Sequence, residues 1–165
     1  MSLLAHVGLL MDPAAGAVIL SARYWRIHIT ANDGSPSYFG LSELELMDAV
    51  GGSDVTVSAE NGTRASSSTH VNNPNSAGYA FDDSGGTGWL SATAVTSWLQ
   101  WDFGAGNDKT IRQISIRGSF NVPSASPKDF TIQGSADGIT WTTVLTVTDQ
   151  TGWTGAADKR TFNVA

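Results

Sequence analysis

The chain has 165 residues, enough for one domain with a single sizeable core, and only 15% of them are charged. A formal net charge of -6 and a pI near 4.7 argue against nucleic acid or an anionic membrane as partner, because both attract basic surfaces. With no Cys anywhere, disulfides, thiol catalysis and thiolate metal sites are excluded.

Residues 3–20 are mostly apolar, "LLAHVGLLMDPAAGAVIL", but His6, Asp12 and Pro13 interrupt them. No Lys or Arg precedes the stretch, so it has neither the basic start of a signal peptide nor the unbroken length of a membrane span. The expectation is an apolar arm over residues 1–20 that docks on a partner or a neighbouring copy, followed by one domain over 21–165, with no membrane insertion.

From Tyr24 the strand signal is regular. In "YWRIHIT", Trp25, Ile27 and Ile29 share one face while Arg26 and His28 share the other. "LSELELMD" alternates Leu44 and Leu46 with Glu43 and Glu45, and the turn chemistry of "ANDGSPSYFG" between the two predicts a hairpin. Tyr38 and Phe39, in that turn, are candidate subunit-contact residues. Further strands are predicted at "WLQWDFG", "IRQISIRG", "DFTIQGS", "WTTVLTV" and "KRTFNV". Asp137-Gly138, between two of these runs, marks a tight hairpin. About eight short strands with long Gly/Ser/Asn loops describe an all-β antiparallel sandwich. Trp89, Trp101 and Trp141 fall in or beside strand patterns and are expected in the core, where large rings dominate.

Nothing in the chain has the form of a catalytic centre. The three His are far apart in sequence, and Gly-x-Ser-x-Gly, phosphate-loop and His/acid metal motifs are missing. Asp82 and Asp83 are adjacent and cannot straddle a glycosidic bond as two catalytic carboxylates must. The sequon Asn61–Thr63 matters only in a secreted eukaryotic protein.

Four pieces together resemble the discoidin family, the coagulation-factor-type C domains and related carbohydrate-binding modules: "AFDDSGGTGWLS", "WLQWDFG", "IRQISIRG" and "SPKDFTIQGSADGITWTTV". The resemblance spans roughly residues 60 to 164 and implies a galactose-binding-like jelly roll. In that family a strand like "ARYWRIHIT" with a turn and "GLSELELMD" closes the domain at its C-terminus, whereas here it stands at residues 22–48. The implied architecture is therefore a permuted sandwich in which an N-terminal hairpin supplies the usual C-terminal strands. Bacteriophage tail and virion proteins carry similar segments in this arrangement.

The same resemblance implies a structural Ca²⁺ site made by Asp82, Thr87 and Glu43, with Asp83 adding charge. Asp83 stands where the family has Gly, and Ser84 where it often has a second acid or Asn. The alternative is a turn held only by hydrogen bonds from Asp82 and Thr87. Sugar-binding relatives use loops at one end of the sandwich, where a ring covers the apolar face of a pyranose and polar groups bond its hydroxyls. The candidates in the corresponding loops are His70, Asn72, Asn73, Arg117, Phe120, Asn121 and Trp153. Their bland alternatives are a polar loop for His70, a surface ion pair for Arg117 and an edge cover for Trp153.

Two functions follow as expectations. One is a non-catalytic glycan-binding module on a phage or phage-like virion that contacts host-surface polysaccharide. The other is a structural decoration or connector of that particle with no glycan binding. Either would sit on the virion or cell exterior after assembly in the cytoplasm, contact other virion proteins through the arm, and act as a homo-oligomer or in arrayed copies.

Overall fold

The computed structural model describes residues 9–11, 18–56, 63–70, 76–93 and 95–164. The strands among them are β1 (Leu9–Met11), β2 (Val18–Ala22), β3 (Tyr24–Asn32), β4 (Gly40–Met47), β5 (Thr63–Ser66), β6 (Trp89–Leu90), β7 (Ser97–Asp102), β8 (Lys109–Thr110), β9 (Gln113–Gly118), β10 (Pro127–Ser135), β11 (Thr142–Val147) and β12 (Lys159–Asn163). A single helical turn, α1 (Ser76–Tyr79), and a 3-10 turn at Pro123–Ala125 complete the described elements.

Two antiparallel sheets face each other, a five-stranded one in the order β11-β10-β3-β7-β5 and a four-stranded one in the order β12-β9-β4-β6. The all-β sandwich expected from the strand periods is the fold observed. Residues that alternate inward from both sheets form one core, with Ile27 opposite Ile132 and Leu99 in the first sheet and Leu44 opposite Ile116 in the second. Each such side chain, fully withdrawn from water, contributes about 1.5–3 kcal/mol. Trp25 and Trp101 are cross-strand partners and both are almost wholly buried.

The segment from Tyr24 to Met47 lies inside the sandwich, but its two strands are not a hairpin. β3 pairs with β10 and β7, while β4 pairs with β9 and β6 in the opposite sheet. The turn between them bridges the sheets. Asn32 Nδ2 donates to the carbonyls of Ser35 and Tyr38, which folds the chain over the end of the sandwich. Asp137-Gly138 behaves as the sequence predicts: Gly138 has φ +73°, and the Asp137 carboxylate accepts from the Ile139 and Thr140 amides between β10 and β11.

Two expectations are corrected. A domain boundary after residue 20 would cut β2, whose Leu20 is 2% exposed and belongs to the core. β2 lies between β1 and β8 in a small third sheet, and Trp25 Nε1 ties this to the sandwich by donating to the carbonyls of Ala22 and Lys109. Next to it Arg23 forms a two-point ion pair with Asp102, Nε to Oδ1 at 2.6 Å and Nη2 to Oδ2 at 2.7 Å, which holds the Asp102 carboxyl below its ordinary range. The second correction concerns the rings. Trp89 and Trp101 are buried as expected, but Trp141 is half-exposed, with its ring against the Arg26 guanidinium outside the core.

Trp101 gives a test of the core. Trp101→Ala should lose about 3–5 kcal/mol of unfolding free energy in urea titration. Trp101→Phe should lose clearly less, because its indole N–H is buried without a partner and Phe removes that cost with most of the ring kept.

Candidate functional site

Two features stand out at the polar surface: the acidic turn after α1 and the cluster of loops at one end of the sandwich. The turn at residues 82–87 is locally determined. The Asp82 carboxylate accepts from the Ser84 amide at 3.0 Å, and the Thr87 hydroxyl donates to both its oxygens at 2.9 Å. Asp83 takes the left-handed backbone conformation at φ +58°, which is why a residue with a short polar side chain can stand where the family pattern has Gly. Gly88 then brings the chain against β4, since a Cβ there would lie 2.7 Å from the Leu41 carbonyl oxygen.

That close approach sets the turn beside Glu43 of β4. The Ser84 amide is shared between carboxylates, 2.9 Å from Glu43 Oε1 and 3.0 Å from Asp82 Oδ1. Glu43 is 1% exposed, and its Oε2 is buried with no hydrogen-bond partner. Burial first, and the adjoining Asp82 carboxylate second, push its acid up to about 9. Thus Glu43, Asp82 and Thr87 come together, while Asp83 is exposed at the rim. Among the described residues no three His, Asp or Glu side chains form a metal-holding group. Two carboxylates, one of which has a buried oxygen without a partner, and a hydroxyl nevertheless make an all-oxygen set of the kind Ca²⁺ takes, so the residues fit the ion the family implies.

The loop cluster lies where β3, β9 and β12 meet their turns. Ser35 N donates to Ser124 O, Asp33 N to Ser126 O and His70 N to Leu90 O, which draws loops from four parts of the chain to one end. The His70 and Tyr38 rings meet edge to face, with 4.9 Å between centroids and 87° between planes. Tyr38 is half-buried against that ring, and Phe39 beside it is 3% exposed and belongs to the core. Phe120 is 40% exposed and Asn121 is exposed, both on the loop between β9 and β10.

The other candidates are not gathered there. Trp153 is corrected: it is 5% exposed, its indole N–H donates to Pro127 O at 3.0 Å, and Arg160 covers the ring at 3.9 Å. No face of that ring is open to a sugar. Arg117 stands on β9 opposite Glu43 and Lys159 and donates to Ala156 O at 3.3 Å, which places it by the acidic turn. Asn72 and Asn73 lie outside the described residues. The sequence could not reveal the sharing of the Ser84 amide, because it depends on the approach permitted by Gly88.

Among the described residues no helix is long and apolar enough to cross a membrane. Searches of curated proteins and of solved structures found no match. A family model, the F5/8 type C domain, matches residues 63–165, the stretch that contains the acidic turn and β5 to β12. The family consists of modules that bind carbohydrates or other ligands and are generally non-catalytic. With more than half its length matched and the sandwich in place, this chain belongs to the F5/8 type C domain family.

Proposed function

We propose that the chain is a non-catalytic glycan-binding module of a phage or phage-like particle, directed at host-surface polysaccharide. The observation that carries the binding site is the convergence of Tyr38, His70, Phe120 and Asn121 on one end of the sandwich. An exposed ring can cover the C–H face of a pyranose, and the amide and imidazole beside it can bond its hydroxyls. The virion setting extends the sequence resemblance of the Tyr24 segment to phage proteins. Ca²⁺ belongs to the same reading. Glu43, Asp82 and Thr87 would hold it, and its charge would compensate two adjoining carboxylates and tie the turn to β4.

A screen on bacterial surface polysaccharides, with Ca²⁺ and with EDTA, tests the binding. Binding should be weak per site, about millimolar to micromolar, and should strengthen when copies are linked. His70→Ala, Phe120→Ala and Asn121→Ala should each weaken it. No binding even by the multimerised protein would turn the reading to a structural part of the particle.

Glu43 tests the cation independently of any glycan. In chelator, protonated Glu43 is favoured by folding, because its folded value of about 9 stands above the ordinary 4.5. That contribution is complete below pH 4.5 and is lost as pH rises through 9, so thermal stability should fall across this window. Glu43→Gln should flatten the fall. Ca²⁺ should raise the melting temperature of the parent protein at neutral pH and leave Glu43→Gln almost unmoved; equal effects on both would dismiss the site.

A further inference from the structure

We infer that the outer face of the five-stranded sheet is a second glycan-binding surface, suited to an extended, uncharged polysaccharide chain. It rests on the glycan-binding reading for the class of ligand, and it uses a different face of the molecule.

The strand period leaves Arg26 and His28 of β3, Trp98 and Gln100 of β7, and Thr131 and Gln133 of β10 pointing away from the core. The register sets them in two rows, Gln133–Arg26–Gln100 and Thr131–His28–Trp98. All six are half-buried. None is aliphatic, whereas the centre of a protein interface is more apolar. Trp141 joins the face from the start of β11, with its ring 3.9 Å from the Arg26 guanidinium. Arg26 Nε donates to Gln133 Oε1 at 2.7 Å, and Gln133 Nε2 donates on to Thr143 Oγ1 at 3.2 Å, so the guanidinium is fixed before any ligand arrives.

Hydrogen-bonding capacity remains on this face. Among the described residues, the terminal Arg26 nitrogens, the His28 ring and the Gln100 amide make no hydrogen bond, and Thr131 Oγ1 is buried with none. Burial, and then Arg26, lower the proton affinity of His28, which keeps a neutral imidazole with one donor and one acceptor. Indole rings, a fixed guanidinium, amides and a neutral imidazole match the alternation of C–H faces and hydroxyls on a neutral sugar chain. Trp98 on β7 and Trp141 at the start of β11 stand on opposite sides of β3, three strand spacings or about 14 Å apart across the sheet. That separation spans more than one sugar ring, so the site should prefer length.

The test is affinity electrophoresis of the full chain in dextran, galactomannan, xylan and mixed-linkage β-glucan, followed by fluorescence titration with oligosaccharides of increasing length from the retarding polymer. Retardation by at least one polymer is expected, with affinity that rises with oligosaccharide length. Trp98→Ala and Trp141→Ala should each weaken it by about tenfold, while Trp98→Tyr, which keeps a ring, should retain most of it. Circular dichroism and thermal melting establish that each variant is folded. If Phe120→Ala and His70→Ala abolish binding while the sheet variants bind like the parent, the loop reading stands and this inference falls. If only the sheet variants lose binding, the inference stands and the loop reading falls. Retardation by none of the polymers overturns it, as does a monosaccharide that binds as well as the longest oligosaccharide. A change in sedimentation of Trp98→Ala without sugar would make the face a contact between copies and overturn it too.

Discussion

The structure depends on one insertion: β3 stands between β10 and β7, and β4 between β9 and β6. Both strands precede the stretch that the family model matches, yet they are the centres of the two sheets. Were they absent, β10 and β7 would each have an unpaired edge, and the inward side chains of both sheets would lose the partners they pack on. Trp25 makes the dependence specific. It pairs with Trp101 across the sheet, and its indole N–H fastens the small third sheet through Ala22 and Lys109. The core and the chain entering it are therefore one cooperative unit.

The candidate sites are placed on this scaffold by backbone approach. The acidic turn meets β4 because Gly88 has no Cβ, and the result is a buried carboxylate, Glu43, beside a second one. A buried acid with one oxygen unpartnered is costly to fold unless it keeps its proton or gains a cation. The loop end works differently. Backbone amides of Asp33, Ser35 and His70 join its loops, while Phe120 and Asn121 stay exposed.

Strand positions were legible in the sequence because half-buried strands carry a period of two, which β3 and β7 show clearly and β10 shows from Phe130 to Gly134. Pairing was not legible. β3 and β4 are neighbours in sequence with a turn between them, and a hairpin and a bridge between sheets have the same local signature; the distinction lies in what each strand finds on its far side. The Trp residues show the same limit. Trp153 stands in a polar Gly-containing loop yet fills the core, because Pro127 O accepts its N–H and Arg160 closes over it. Trp141 stands beside a strand pattern yet lies outside, because the hairpin at Asp137-Gly138 turns it onto Arg26. Glu43 and Asp82 were legible as a pair only through the resemblance, since 38 residues of unrelated chain separate them.

The scarcity of charge connects these observations. A module that reads a neutral chain gains little from a strong field, since no ligand charge is present to be drawn in. It gains more from rings and amides held in place beforehand, which reduce the ordering cost of a shallow contact. The sheet face has that character: Arg26 lies over an indole and bonds an amide, and the nearby Arg23 is paired with Asp102. Shallow sites are individually weak, and on the proposed reading the two surfaces on one sandwich would act on a long polymer at high effective concentration. Rigidity of the core would then serve binding, because only a sandwich that holds both surfaces in a constant relation could let one chain engage the two together.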